Sequence, residues 1–313
     1  MLIKPSTAGD LLSATLATMR LAALNITTIE AGGRWAMELP AAPVLRLQVV
    51  LRGECWIAVA GEKKKHHFRA GDCFLLPHAR GLVMASDLSV KKRQPLHRLI
   101  RHPQDGVVSL VCNEGRDFFA AGSAFQLAGH FQDLIFNRLP PLIHVPADAD
   151  HAAVLCWAIE RFAVEVRNVR PGRALMLSHL APIMLLQVLR AYLATAAGDR
   201  NWLVALSEPR LSRALAAMQS DPARSWSLDG LARTAGLSRA GFALNFKKWI
   251  GVTPMEYLTQ WRVQLACELL READRRIAEV ASAVGYESES AFSAAFTRIV
   301  GQRPGSYRRG TSD

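Results

Sequence analysis

Residues 231–257 read LARTAGLSRAGFALNFKKWIGVTPMEY, and residues 280–307 read VASAVGYESESAFSAAFTRIVGQRPGSY. These are two copies of one pattern. Phe242, Phe246, Gly251, Pro254 and Tyr257 recur as Phe292, Phe296, Gly301, Pro304 and Tyr307, each 50 positions later. Leu231, Ala232 and Gly236 recur as Val280, Ala281 and Gly285, 49 positions later, so a one-residue slip falls before Phe242, where a turn absorbs it. Each copy predicts a first helix (Leu228–Ala235; Ile277–Val284), a glycine turn and a second helix (Arg239–Trp249; Glu289–Val300). That is the helix-turn-helix arrangement.

The arrangement suits duplex DNA, because the major groove admits an α-helix and a helix-turn-helix lays its second helix there. The two phenylalanines of each second helix stand four apart and share one face. They pin that face to a core and leave the opposite one for bases. Between the copies, Thr253-Pro254-Met255-Glu256 has the form of a capping box with proline at the first helical position. It starts a helix that runs to Leu270 with Leu258, Trp261, Leu265 and Leu269 on its core side. Roughly 17 residues at about 1.5 Å each make a strut of roughly 25 Å. Such a strut holds two recognition helices near the ~34 Å spacing of successive major grooves.

Upstream the character differs. From Val44 to about Leu134 the chain reads as short strands: Leu45, Leu47, Val49 and Leu51 alternate, Gly53-Glu54 interrupts, and Trp56–Val59 resumes. Cys73–Leu76 and Val107–Cys112 are further strands, and glycine and proline punctuation between them predicts a small sandwich or barrel. After Pro140-Pro141 the pattern turns helical. Leu155, Ile159, Phe162 and Val166 form an amphipathic stripe, and Ala174–Ala197 is apolar on nearly every side. One of its faces serves its own domain; the other is open to self-association or to a fully internal core. Gly198-Asp199-Arg200-Asn201 reads as the linker to the last domain.

The chain has 313 residues, half of them hydrophobic and about a fifth charged, which excludes a disordered or fibrous protein. No secretory signal is expected, since Lys4 and Pro5 are followed by the mixed run Ser6–Asp10. The apolar stretch Ala174–Leu193 carries His179, Pro182, Gln187 and Arg190, which argues against a bilayer span. Five scattered cysteines without a CxxC pair predict reduced, mostly buried thiols and a cytoplasmic location. Thirty-eight basic against 27 acidic side chains give +11, so an anionic partner is expected. The charge does not by itself find the DNA surface. Residues 206–313 hold 15 basic and 11 acidic side chains, whereas Gly61–His102 holds ten and three.

From Ser227 to Arg309 the sequence resembles the AraC/XylS transcriptional regulators throughout, on the strings quoted above and their flanks TQWRVQLACELL and IAEVASAV. The amino-terminal half is similar to the cupin-like sensor domains of one branch, through GDCFLLPH and LPPLIHV, and EPRLSRALAAM before the repeat also fits. The resemblance implies an α+β chain in three parts. Residues 1–139 form a cupin-like β-barrel that senses a small molecule. Residues 140–198 form a helical connecting and dimerisation segment. Residues 206–313 form an all-α domain with two helix-turn-helix units. It implies a sequence-specific regulator, more often an activator than a repressor, whose partners are promoter DNA, an unidentified effector, RNA polymerase and a second copy of itself. No cofactor, metal or catalytic residue is expected.

Carried onto this sequence, the DNA-contacting positions are Ser238, Arg239, Ala240, Ala243, Leu244, Lys247, Lys248 and Arg262, then Glu289, Ser290, Ser293, Ala294, Thr297 and Arg298. Two departures stand out. Exposed recognition positions that often carry Arg or Gln in the family hold Ala243, Leu244, Ser293 and Ala294 here, so the bidentate fork to guanine is missing. Arg276 takes the place of a Ser or Thr N-cap before Ile277, which removes about 1 kcal/mol of helix anchoring. The rival reading is a cupin-type metal enzyme, or a ligand-binding protein with an accessory DNA-binding domain. A cupin metal motif wants two histidines one residue apart and a nearby Glu. Here His66 and His67 are adjacent and point to opposite strand faces, Phe68–Asp72 supplies no Glu, and His78, His97 and His102 are scattered. The basic runs Lys63–Lys65 and Lys91–Arg93 read as solvated hairpin turns, with attraction of an acidic ligand or DNA phosphate as the alternative.

Overall fold

The structure is a computed structural model that describes residues 10–18, 22–78, 80–90, 98–102, 107–113, 115–126, 132–148, 153–196, 198–271 and 275–310. The chain forms two compact units. One comprises the described parts of 21–127 and 139–197; the other comprises those of 1–20, 128–138 and 198–313. The Lys91–Arg93 run and His97 lie outside the described residues.

The first unit holds eleven strands among its described residues: β1 (Ala22–Ala31), β2 (Ala36–Leu39), β3 (Leu45–Arg52), β4 (Glu54–Val59), β5 (Lys65–Arg69), β6 (Cys73–Leu76), β7 (Leu82–Ala85), β8 (Arg98–His102), β9 (Val107–Cys112), β10 (Phe118–Gln126) and β11 (Ile143–Val145). They do not close into the expected barrel. A seven-stranded sheet runs in the order β11-β6-β3-β10-β1-β9-β8, and a four-stranded sheet in the order β2-β7-β4-β5. The ladders stop at β8 and β11 in one sheet and at β2 and β5 in the other. The two sheets meet through their faces. Val50, Phe74, Phe118 and Ala120 of the large sheet pack against Ile57, Phe68, Leu82 and Met84 of the small one. Alternation along a strand requires one buried face and is satisfied equally by a barrel and by two facing sheets. The periodicity therefore located β3, β4, β6 and β9 without deciding closure, while β1, β2 and β11 fall outside the stretch read as strands. At Gly53 (φ +76°) a Cβ would sit 2.2 Å from the Asp117 carbonyl oxygen, so only glycine allows β3 to pass into β4 there.

Two long helices complete this unit, here α3 (Ala153–Arg167) and α4 (Arg173–Thr195), counted after α1 (Leu11–Thr18) and α2 (Gln132–Phe136) of the other unit. The expected stripe Leu155, Ile159, Phe162 and Val166 is the buried face of α3. By length and composition alone α4 could span a bilayer. Its Leu177, Leu180, Met184, Leu185, Val188 and Leu189 are instead buried in its own unit, where it packs on α3, β1, β6 and β11.

The second unit is helical: α1, α2, α5 (Trp202–Ala205), α6 (Pro209–Ser220), α7 (Leu228–Ala235), α8 (Arg239–Ile250), α9 (Pro254–Leu270), α10 (Ile277–Ala283), α11 (Glu289–Val300) and α12 (Pro304–Gly310). Asn201, read from sequence as linker, is buried and caps α5 by accepting from the Val204 amide at 3.0 Å. Trp202 beside it is fully buried. Along α9, Leu258 and Trp261 face the core as expected, but Leu265 and Leu269 are only half-buried. Both still pack against the core that holds Cys267 and Leu270, where α9 meets α10, α11 and α12.

Candidate nucleic-acid interface

The two copies repeat each other in three dimensions. Phe246 meets Tyr257 with ring centroids 5.6 Å apart and planes at 76°. Phe296 meets Tyr307 with the same separation and the same angle. Phe242–Phe246 and Phe292–Phe296 stand 5.5 and 5.6 Å apart, and all four phenylalanines are fully buried. These tilted and edge-on aromatic pairs fix the rotation of α8 and α11 about their own axes. The opposite face of each is thereby turned to solvent.

The turns are set by the same local chemistry. Gly236 (φ +69°) and Gly285 (φ +88°) take the left-handed conformation between the helices. A Cβ at Gly285 would lie 2.7 Å from the backbone of Ala223, so that position also requires close approach. Ser238 and Ser288 then cap the second helices, accepting from Gly241 and Ala291 amides at 3.2 Å. Thr253 and Glu256 form the reciprocal capping box of α9, with bonds of 3.3 and 2.8 Å. Those bonds hold the exposed Glu256 carboxyl below its ordinary value. Arg276 has no oxygen to offer the first turn of α10; only the Glu279 carboxylate accepts, from the Arg276 amide at 3.1 Å.

On the outward face of α8, Ala240, Leu244, Lys247 and Lys248 are exposed and Ala243 is half-exposed, at helical spacing. Leu244 is 71% exposed, the largest apolar group offered by either recognition helix. Asn245 is exposed on the adjoining side. Arg239 reaches Asp229 of α7 at 3.6 Å, both ends exposed, so this pair adds little stability. On α11, Glu289, Ser290, Ala294 and Arg298 are exposed and Ser293 and Thr297 half-exposed. Ser290 Oγ lies 3.1 Å from the capping hydroxyl of Ser288. Lys247, Lys248 and Arg298 sit in the last turns, where positive charge also complements the helix dipole.

Arg262 differs from the other candidates. Its Nε donates to the Pro222 carbonyl at 2.7 Å and an Nη to that of Arg224 at 2.9 Å. The guanidinium also stands 5.7 Å from the Tyr286 ring, and burial lowers its pKa. It staples α9 to the α6–α7 connection.

Contacts invisible to motif reading join this face. Arg138 Nη1 donates to the carbonyls of Lys248 (2.8 Å) and Trp249 (3.1 Å), satisfying two of the four free carbonyls at the end of α8. Gln219 donates to the hydroxyls of Thr15 and Tyr257 at 3.1 and 2.9 Å, and Gln264 donates to the Thr18 carbonyl at 3.1 Å. Helix α1 is thus tied into the core beneath the first copy, and burial pushes the Tyr257 hydroxyl up to about 12. Sequence separations of 38 residues for the Gln219–Tyr257 bond and of 110 or more for the others leave no local signal for these bonds.

In the strand unit, His67 stacks on Trp56 and pairs with Glu54 at 3.2 Å, while His66 lies 3.6 Å from Glu62. The two rings take opposite faces of β5, as alternation requires. His78 bonds the Leu139 carbonyl, and Lys63–Lys65 are exposed. Among the described residues no three His, Cys, Asp or Glu side chains come together as metal ligands. The five thiols are free, and burial pushes Cys55 up to about 12, Cys267 up to about 11, and Cys73 upward as well.

Comparison with known proteins places this geometry. A cupin family profile matches residues 10–194, and a helix-turn-helix domain profile matches residues 231–310. A putative AraC-like transcription regulator of Streptomyces lividans is 39% identical over 285 residues, covering 90% of this chain and 92% of its own. The regulator AlkR of Acinetobacter baylyi is 29% identical over 90% of this chain and 93% of its own. Among solved structures, the DNA-binding domain of AdpA in complex with a target DNA is 29% identical, covering 33% of this chain and 91% of that one, with a TM-score of 0.32.

Proposed function

This chain belongs to the AraC/XylS-type DNA-binding transcriptional regulators, and we propose that it reads promoter DNA with α8 and α11 seated in successive major grooves. The chain is a regulator, as its full-length relatives are, and not an enzyme. The observation that carries the two-groove reading is the duplicated aromatic pin, which gives both recognition helices one buried face and one outward face. The base-reading positions are Ala240, Ala243, Leu244, Ser293 and Ala294. Ser238, Arg239, Lys247, Lys248, Thr297 and Arg298 hold phosphates, with Glu289 and Ser290 at the leading end of α11. With methyl and hydroxyl groups at the reading positions, specificity rests on thymine methyls and on DNA shape. Selection from random duplexes, followed by footprinting, tests this. The expected result is protection of two segments about 10–10.5 base pairs apart on one face of the duplex. Absence of sequence enrichment, or a single protected segment, removes it.

The cupin-type unit is the sensor in this reading. A small molecule that favours one state of it shifts the population competent for DNA or for RNA polymerase, with activation as the outcome. A second copy docks on α4, whose outer side exposes Leu175 (64%), Met176 (45%) and Ile183 (38%). A large exposed apolar patch is the usual mark of a protein contact. The buried free thiols favour a reducing, cytoplasmic setting.

A further inference from the structure

The two copies are not equivalent beside their recognition helices, and the difference describes a site. A groove of about 690 Å³ opens against the outward face of α11, between that helix and α12, with Ile277 at its floor. Arg298, Arg303 and Arg309 line it, with Thr297 and Ser306. Each has a counterpart 50 residues earlier, where the first copy carries Lys248, Thr253, Thr259, Lys247 and Glu256. The first copy thus has two threonines and a carboxylate where the second has two arginines and a serine. Space differs too. Gly305 stands where the first copy has Met255, and a Cβ on Gly305 would meet Ile277 Cδ1 at an ordinary 3.7 Å. The second copy has no side chain where the first carries a methionine, itself 38% exposed.

The second copy also gives up stability for these arginines. Thr253 caps α9 through its hydroxyl and receives Glu256 in return. At the matching position Arg303 brings no acceptor, and only its own carbonyl serves the chain beyond, accepting from Ser306 and Tyr307 amides at 3.0 Å. Among the described residues none of the three guanidinium groups is in a salt bridge. Glu256, whose carboxyl feels the charge of Arg298, is held in its capping box. Three like charges around one cleft repel each other until an anion enters.

We propose that this groove seats a backbone phosphate of the DNA strand flanking the major groove occupied by α11, with Arg303 and Arg309 joining Arg298 as phosphate donors. The inference rests on the two-groove reading above. One wall of the groove is the recognition face itself, so the strand that borders an inserted α11 passes over the opening. Guanidinium groups match phosphate oxygens with paired donors. The second helix-turn-helix unit then acts mainly as an electrostatic anchor, and the first supplies the larger apolar reading surface.

Two substitutions toward the first copy separate this from a structural role. Arg303→Thr restores a cap, and Gly305→Met fills the groove with a better helix former, so both are expected to raise the thermal midpoint of the full-length protein. Both are expected to weaken binding to a selected duplex and to a scrambled duplex alike. Losing one phosphate contact makes the plot of log K against log salt shallower by about 0.9, which at about 0.15 M salt is roughly fivefold in affinity. Unchanged affinities and slopes in both variants, with wild-type binding intact, overturn the proposal. A loss confined to the selected duplex overturns it as well, because bases are then being read. If inorganic phosphate raises the midpoint of the wild type alone while DNA slopes stay equal, the groove holds a free anion and not the strand. Failure of the wild type to bind either duplex would remove the DNA reading itself, and this site with it.

Discussion

Replacing Leu244 with Ala is the sharpest probe of how α8 meets DNA. The side chain is 71% exposed, so folding stability is expected to change by less than about 0.5 kcal/mol. The substitution deletes three carbons. A fully buried methylene contributes about 0.8 kcal/mol, and a thymine methyl covers one side of the leucine only, so about half of the sum is at stake. The expected loss is about 1 kcal/mol, roughly fivefold in Kd, and it falls on the selected duplex alone. Lys247→Ala is the matched opposite: both duplexes weaken equally and the salt slope becomes shallower by about 0.9. Leu244→Arg adds the missing fork and is expected to shift selection toward a guanine, by roughly 1–3 kcal/mol. Titrations of the three variants against both duplexes across a salt series measure all of this. If Leu244→Ala weakens both duplexes equally, or Lys247→Ala relaxes the choice at one base pair, the register assigned to α8 is wrong.

Three further outcomes follow from the same contacts. Arg276→Ser supplies the missing acceptor at the start of α10 and is expected to raise stability by about 1 kcal/mol, read as a higher urea midpoint at unchanged m; a lower midpoint would show that the arginine stem packs better than the cap bonds. His66 is held below its ordinary value, chiefly by burial and then by Lys64, with Glu62 opposing. The unfolded chain therefore takes up the proton first, and the stability from neutral His66, complete above about pH 6.5, is lost as pH falls toward the lower folded value. His66→Gln is expected to flatten the acid limb of a stability–pH curve, and an unaltered limb contradicts the assignment. A helical fragment beginning at Leu206 lacks Trp202, which is fully buried and donates to the Tyr257 hydroxyl at 3.4 Å. It is expected to be about 3–5 kcal/mol less stable than one beginning at Gly198, and equal urea midpoints would show that Trp202 is dispensable.

How much of this could be read in advance depended on whether the signal was local. The ends of α7 and α11 and of β9 match the sequence reading residue for residue, because glycine turns, serine caps and strand alternation are decided within a few positions. The 50-residue offset implied that the two copies pack alike, but which rings meet, Phe246 with Tyr257 and Phe296 with Tyr307, came from the structure. Sheet closure was not legible, because facing sheets and a barrel both need one apolar face per strand. The internal bonds of Arg262 were not legible for a related reason: resemblance marks a position and leaves open where a long side chain turns. Its donors go to the Pro222 and Arg224 carbonyls. Arg138 escaped altogether, since the bonds that hold the end of α8 come from 110 residues away.

The duplication bears on why two units persist when one helix-turn-helix fills one groove. Had both copies kept the same outward chemistry, each would read the same few base pairs, and the second would add affinity by repetition. They have kept the inside and changed the outside. The buried pins match to within about 0.1 Å in spacing, whereas the outward positions trade Leu244 for Ala294 and Thr253 for Arg303. Conserved pins keep both helices at one rotation, so a change on either outer face alters what is contacted without altering how the helix is presented. Exchanging outer faces between the copies, with the pins left in place, should then move base preference with Leu244 and salt dependence with Arg303. Selection and salt titration of the exchanged protein measure the two separately. A protein that stays folded but loses both properties would show that the spacing between the copies, and not their outer chemistry, governs recognition.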